Sequence, residues 1–147
     1  MLVERTFSSS KGSLKLVIHS PHLFETKAVG SFDFSFAYAM RQALDDWHAL
    51  AGHSLRSFND WEHMTNYDLG GRALLTEWVY RHRKSVAGTN FLLGSHLVGL
   101  GVKLASYAVG DAFTLYPDRA SFAIALDMAR SEDRAREVRV SDRPPPP

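Results

Sequence analysis

The chain has no cysteine. That excludes disulfides, thiol nucleophiles and thiolate metal sites, and it suits a reducing, cytoplasmic setting. It also lacks a long apolar run. A membrane helix needs about 18 to 20 uninterrupted apolar residues. The best stretch, Phe91 to Val109, is broken by Ser95, His96, Lys103 and Ser106 and by three glycines. The opening Met1-Leu-Val-Glu-Arg-Thr has no positive segment followed by an apolar run, so no signal peptide is expected. Neither sign of charge dominates: 17 basic and 16 acidic residues leave a formal net charge of +1. Nucleic-acid binding calls for a clustered basic surface, and this balance gives it no support. Proline is confined to Pro21, Pro117 and the terminal Pro144 to Pro147.

What remains is the material of one ordinary domain. The chain has 147 residues, 45% hydrophobic and 12% aromatic, enough for a packed interior. Leu14 to Ile18 is dominated by apolar and β-branched residues and reads as a strand. Pro21 breaks it, and Leu23 to Val29 forms a second strand closed by Gly30. The two make an opening hairpin. Phe36, Met40, Ala43, Trp47 and Leu50 recur at helical steps. Asp33 or Ser31 caps that helix and Gly52 ends it.

Leu55 to Met64 is a third strand, more polar than a fully buried strand should be. Asp68 caps a second helix with Leu74, Leu75, Trp78, Val79 and His82 near one face. Its end carries Arg81 to Lys84, which suits the carbonyl end of a helix dipole, and Gly88 stops it. Thr89 to Leu93 is a short strand. Leu97 to Val109 is apolar nearly all round and is expected to be a mostly buried helix ended by Gly110. Ala112 to Tyr116 is the last strand. Pro117 and Asp118 open a final helix with Phe122, Ala123 and Leu126 facing inward. Strands separated by helices imply crossovers and a parallel arrangement. The expected fold is α/β: one mixed, mostly parallel sheet of about five strands with four helices, over residues 1–130. Residues 131–147 lose the hydrophobic period and read as a disordered, Arg- and Pro-containing tail.

Few residues suggest chemistry. Asp68-Leu-Gly-Gly at a helix start offers backbone N–H groups to an anion, but the carboxylate competes for them, and an N-cap with a tight turn is the favoured reading. Ser95 beside His96 is not a nucleophile and base, because adjacent side chains diverge; helix capping is the expected role of Ser95. No nucleophile elbow, phosphate-binding loop or dinucleotide glycine pattern occurs. His19-x-x-His22, His48 and His53 join no clear third ligand, so no metal is expected. Asp45 and Asp46 point apart. Asp60 and Glu62 are neighbours on one side of a strand, with a solvated face as the default. Trp47, Trp61 and Trp78 read as core and rim rather than a cofactor box.

Three segments resemble the SpoIIAA-like branch of the STAS family. Gly30-Ser-Phe-Asp-Phe-Ser-Phe-Ala-Tyr-Ala-Met-Arg-Gln-Ala-Leu is similar to the family's turn into its first helix. Trp61 to Arg83 is similar to the strand-to-helix segment with an acidic N-cap. Gly94-Ser-His-Leu-Val-Gly-Leu-Gly-Val-Lys-Leu-Ala with Phe113-Thr-Leu-Tyr-Pro-Asp-Arg-Ala-Ser-Phe resembles the closing strand-helix-strand. The resemblance covers roughly Leu14 to Met128. The family's anti-sigma-factor antagonists carry a phosphorylatable serine two residues after the capping Asp. Here Gly70 stands at that place and accepts no phosphoryl group; Thr65 and Tyr67 are the nearby hydroxyls.

The resemblance implies a non-catalytic regulatory module with no cofactor. It would bind an unidentified protein partner through the strand-to-helix surface around Tyr67 to Arg72. The residues expected there are Trp61, His63, Thr65, Tyr67, Asp68, Gly70, Gly71 and Arg72, with Ser95 and His96 at the next strand end. The alternative is an apolar small-molecule or lipid ligand, as in the related CRAL-TRIO proteins, with Phe32, Phe34, Phe36 and Tyr38 near the pocket. A carboxylate or Ser95 hydrolase is the weakest reading. Either a monomer or a homodimer fits.

Overall fold

The computed structural model describes residues 3–51, 53–109 and 113–147. Its elements run β1 (Val3–Ser8), β2 (Gly12–Ser20), β3 (Leu23–Phe32), α1 (Phe34–Leu50), β4 (Leu55–Tyr67), α2 (Leu69–Arg81), β5 (Val86–Leu93), α3 (His96–Val109), β6 (Phe113–Tyr116) and α4 (Arg119–Ser141). The six strands lie side by side in chain order. β1, β2 and β3 pair antiparallel; β3 to β6 pair parallel. The mixed sheet with four helices is thus as expected, with one strand more. β1 escapes the pattern because it is an exposed edge strand of mostly polar residues, Val-Glu-Arg-Thr-Phe-Ser.

The connections step one strand at a time in one direction. With crossovers of one hand, such steps put every intervening helix on the same face. Accordingly α1 packs on α2 and α2 on α3. Beneath them lies the larger core, with Leu14, Leu16, Phe24, Phe36, Trp47, Trp78 and Phe91. The opposite face is left for α4, whose Phe122 and Ala129 meet Leu23, Phe58 and Leu92. A parallel sheet needs cover on both faces, and α4 supplies the second. Where β2 meets β3, Gly12 pairs with Gly30. Gly30 has φ +75, and a Cβ there would come within 2.4 Å of the Lys11 carbonyl. It is a bulge inside β3, not the strand's end, which is reached at Phe32.

The caps follow the sequence reading at three starts. Asp33, Asp68 and Asp118 each accept a backbone N–H, from Phe36, Gly71 and Ser121 respectively. The Ser121 amide, then its hydroxyl, holds the Asp118 carboxyl below the usual carboxylate range. The ends differ. α1 closes at Ala51, with Leu50 86% exposed instead of on the buried face; Gly52 lies outside the described residues, as do Gly110 and Ala112. α2 closes at His82, and Gly88 lies within β5. Ala123 is exposed on α4. Among the described residues, no helix is long and apolar enough to cross a membrane.

Two larger corrections concern α3 and the C-terminal segment. α3 buries Val98, Gly101 and Val102 but leaves Leu97, Leu100, Leu104 and Tyr107 at least half exposed. An all-round apolar composition therefore does not mean all-round burial here, because α3 packs on β4 and β5 with α2 as its main helical neighbour, and its other side is left to solvent. Residues 131–141 are not a disordered tail; they continue α4. The inward row Phe122, Ala129, Asp133 keeps helical spacing. Its last member is an acid, buried at 6% exposure, whose carboxylate accepts the Ser20 hydroxyl at 2.5 Å. The apolar pattern stops there while the packing goes on. Glu132 adds an ion pair with Arg56 at 3.0 Å.

The C-terminal ends of α1 and α2 meet through stacked rings. His48 and His82 lie 4.3 Å apart, and His82 lies 4.5 Å from Trp78. Burial, then the neighbouring His48, pushes the His82 imidazole below its ordinary value; Asp45 opposes this and Arg81 and Arg41 add to it.

Two outcomes follow from this packing. Asp133→Ala leaves the buried Ser20 hydroxyl without its acceptor and should cost about 1 to 3 kcal/mol in denaturant unfolding. For His82, the unfolded chain keeps the ordinary value of about 6.5 and takes up its proton more readily than the folded one. Stability from this site is full above that pH and is lost as pH falls through it. A melting temperature followed from about pH 8 to about pH 5 should drop more steeply in the wild type than in His82→Gln.

Candidate functional site

The sheet face under α1, α2 and α3 carries unusual polarity. Period-two alternation sends Leu55, Ser57, Asn59 and Trp61 of β4 to this face. Asn59 is 1% exposed and fully engaged. Its Oδ1 accepts the Thr26 hydroxyl at 2.7 Å, and its Nδ2 donates to Ser57 Oγ and to the Asn90 carbonyl, each at 3.2 Å. The Trp61 indole N–H donates to Thr26 Oγ1 at 3.0 Å. On the opposite, α4 face, the Asn90 side chain donates to the Ser57 carbonyl at 3.0 Å and accepts from Tyr116. Buried polar groups are tolerated when paired in this way. The network explains why β4 reads as too polar for a central strand.

Above this floor lies a cavity of about 100 Å³. Met40 and Leu44 of α1, Leu75 and Val79 of α2, and Val98 and Val102 of α3 form its walls. Phe32, Trp61 and Phe91 pack along the sheet side, Trp61 tilted against Phe32 at 5.7 Å and edge-on to Phe91 at 4.9 Å. Tyr67, Arg72, Thr76 and Ala105 line the cavity while keeping some solvent exposure, which puts an opening between α2 and α3. Gly101 is what allows α3 to lie there: a Cβ would come within 2.5 Å of the Tyr67 hydroxyl. The Arg72 guanidinium reaches that hydroxyl at 3.4 Å and stands 5.7 Å from the ring centre.

The residues singled out in the sequence divide between this cavity and the surface. Trp61, Tyr67 and Arg72 line the cavity. Asp68 is the α2 cap, accepting the Gly71 N–H at 2.8 Å. Gly71 is buried where α2 crosses α1, since a Cβ would touch Ala37 at 3.0 Å; Gly70 is exposed. His63 and Thr65 are exposed on β4. Ser95 accepts the Val98 N–H at 3.4 Å as a weak cap to α3, and His96 is exposed at its start. Of the four aromatics near the first helix, Phe32 lines the cavity and Phe36 is core. Phe34 and Tyr38 are half exposed and line nothing.

The α4 side of the sheet has a wider, open depression of about 400 Å³. Its charges are largely spent on one another. Arg119 binds Asp60 at 3.0 Å and Glu62 at 2.8 Å, and Arg130 binds Glu25 at 2.7 Å. The hydrogen bond to Asp60 holds the Arg119 guanidinium above its ordinary value. The Asp60 and Glu62 pair is thus clamped by an arginine and not poised for acid–base work. Among the described residues, no three His, Asp or Glu side chains gather as a metal site. Sequence reasoning missed Thr26, Asn59, Thr76 and Gly101. For Ser57 and Asn59 the signal was the polarity of β4; for Gly101 there was none, since the clash partner is over thirty residues away.

No protein-family model matches the chain, and no curated protein matches it. A solved structure does: an uncharacterized protein of the DUF3478 family with a SpoIIAA-like fold, from Shewanella loihica PV-4. The two are 16% identical with a TM-score of 0.55, over 85% of this chain and 93% of that one. Six strands in chain order, three helices on one face and a similarity covering most of both chains lead to one conclusion: this chain has a SpoIIAA-like fold.

Proposed function

We propose that this chain is a non-catalytic binding domain for a small, largely apolar ligand held between the sheet and helices α1 to α3. The observation that carries the reading is the cavity, walled by aliphatic and aromatic side chains, with polar groups confined to the floor and to one side. Ligand sites have this composition: apolar walls and a few placed polar groups. The volume is below the roughly 300 to 1,000 Å³ of a drug-sized site, so the ligand is small or enters by one end only. The floor groups are already paired to one another, as a positioning surface would be and a reactive one would not.

A second reading, a protein-binding module, is favoured by the apolar stripe of α3. Leu97, Leu100, Leu104 and Tyr107 recur at three- and four-residue steps on its exposed side. The flanking residues His63, Thr65 and Leu69 are exposed as well.

Native mass spectrometry of gently purified protein should show an added small mass that disappears on unfolding. Trp61 and Trp78 line the cavity, so 1-hexanol should change tryptophan emission and raise the melting temperature. A bare protein mass together with no response to 1-hexanol would overturn the ligand reading. Recovery of a specific partner by the wild type and its loss on Leu100→Asp would favour the second.

A further inference from the structure

Among the described residues, the cavity's side wall carries one charge without a counter-charge. Four arginines are half-buried: Arg41, Arg56, Arg72 and Arg130. Arg41 faces Asp45 at 3.6 Å, Arg56 faces Glu132 at 3.0 Å, and Arg130 faces Glu25 at 2.7 Å. Arg72 is the exception. Among the described residues its only polar side-chain partner is the Tyr67 hydroxyl, at 3.4 Å. The nearest acid in sequence, Asp68, is occupied as the α2 cap. A half-buried guanidinium without a paired anion is a ready partner for one. Here it lines a cavity whose walls are mostly apolar.

From this we infer the class of ligand: an amphipathic monocarboxylate, its carboxylate on Arg72 and the Tyr67 hydroxyl and its short apolar body in the cavity. The inference rests on the ligand-binding reading above. A planar guanidinium matches a carboxylate with two parallel N–H···O bonds, and these charge-assisted bonds are among the strong ones. Tyr67 supplies a hydroxyl donor on the same side of the opening. Its place under α3 exists only because Gly101 has no side chain. The body is bounded by the cavity of about 100 Å³. A cavity of roughly 150 Å³ admits benzene, so a chain of about five carbons, or a branched equivalent, is what this one accepts. The wall residues Met40, Leu75, Val98 and Val102 offer such a body no hydrogen bond. An apolar tail is therefore favoured over a polar one along these walls.

The test compares two probes with one tail. Hexanoate and 1-hexanol are titrated separately into the full chain while backbone amide shifts are followed by NMR. In the wild type the acid should bind roughly ten- to a hundredfold more tightly than the alcohol, with the largest shifts around the cavity. Arg72→Met keeps the apolar stem and removes the charge. It should erase that preference, bringing the acid to the affinity of the alcohol, while a dispersed amide spectrum reports that the variant is folded. Tyr67→Phe should lose a smaller factor for the acid alone.

Equal affinities of acid and alcohol in the wild type would overturn the carboxylate assignment while leaving the cavity reading intact. So would acid-induced shifts that map elsewhere on the surface. Neither probe shifting the cavity amides would overturn the cavity reading and this inference with it. If Arg72→Met also lost the alcohol, the wild-type ratio alone would decide, a ratio near one being the overturning result.

Discussion

The one-way march of the chain across its sheet is the constraint on which the rest depends. β3 to β6 are added in order, each through a helix, so α1, α2 and α3 must lie on one face and α4 alone on the other. Three helices cannot all pack tightly on four parallel strands unless every side chain between them fits. They leave the space bounded by Met40, Leu75, Val98 and Phe91. The other face, served by one long helix, closes with aromatic pairs such as Phe58 and Phe122, 5.9 Å apart, and with ion pairs.

The sheet beneath the helices is held by polar bonds as well as by apolar contact. Thr26, Asn59, Ser57 and Trp61 form a closed set of donors and acceptors across β3, β4 and β5. A closed set costs little to bury and holds the register of its strands, because a slip by one residue would leave each member unpaired. It also keeps the floor of the cavity chemically quiet. Arg72 is the contrast: a half-buried donor group left open at the side of the same cavity.

α3 joins the two surfaces that matter for binding. Its inner side walls the cavity with Val98, Gly101 and Val102, while its outer side shows Leu97, Leu100, Leu104 and Tyr107 to solvent. Gly101 sets how closely it approaches Tyr67, and hence where the Arg72 side of the cavity stands.

Local rules were enough for much of this. Hydrophobic period and capping chemistry placed the Asp68 and Asp118 caps, narrowed the first cap to Asp33 or Ser31, and placed five of the six strands and the inward face of α1 apart from Leu50, because each is decided within about one or two turns of chain. Segment order then implied a helix-covered, largely parallel sheet. Other features depend on residues far apart in sequence, and only the tertiary structure decided them. The inward place of Asp133 is set by Ser20, which is why the terminal segment read as a tail although it continues a helix. The exposure of α3 is set by its packing mainly against α2, β4 and β5 on one side, which composition cannot show. Trp61 read as core or rim beside a partner surface; its place against the cavity is set by Thr26, which accepts its N–H, and by Phe91, which packs on its ring. That no acid among the described residues pairs with Arg72 is likewise decided by how distant segments meet. Apolar pattern and caps record a segment's own preferences; a cavity, a clash and the surroundings of a charge arise only when segments meet.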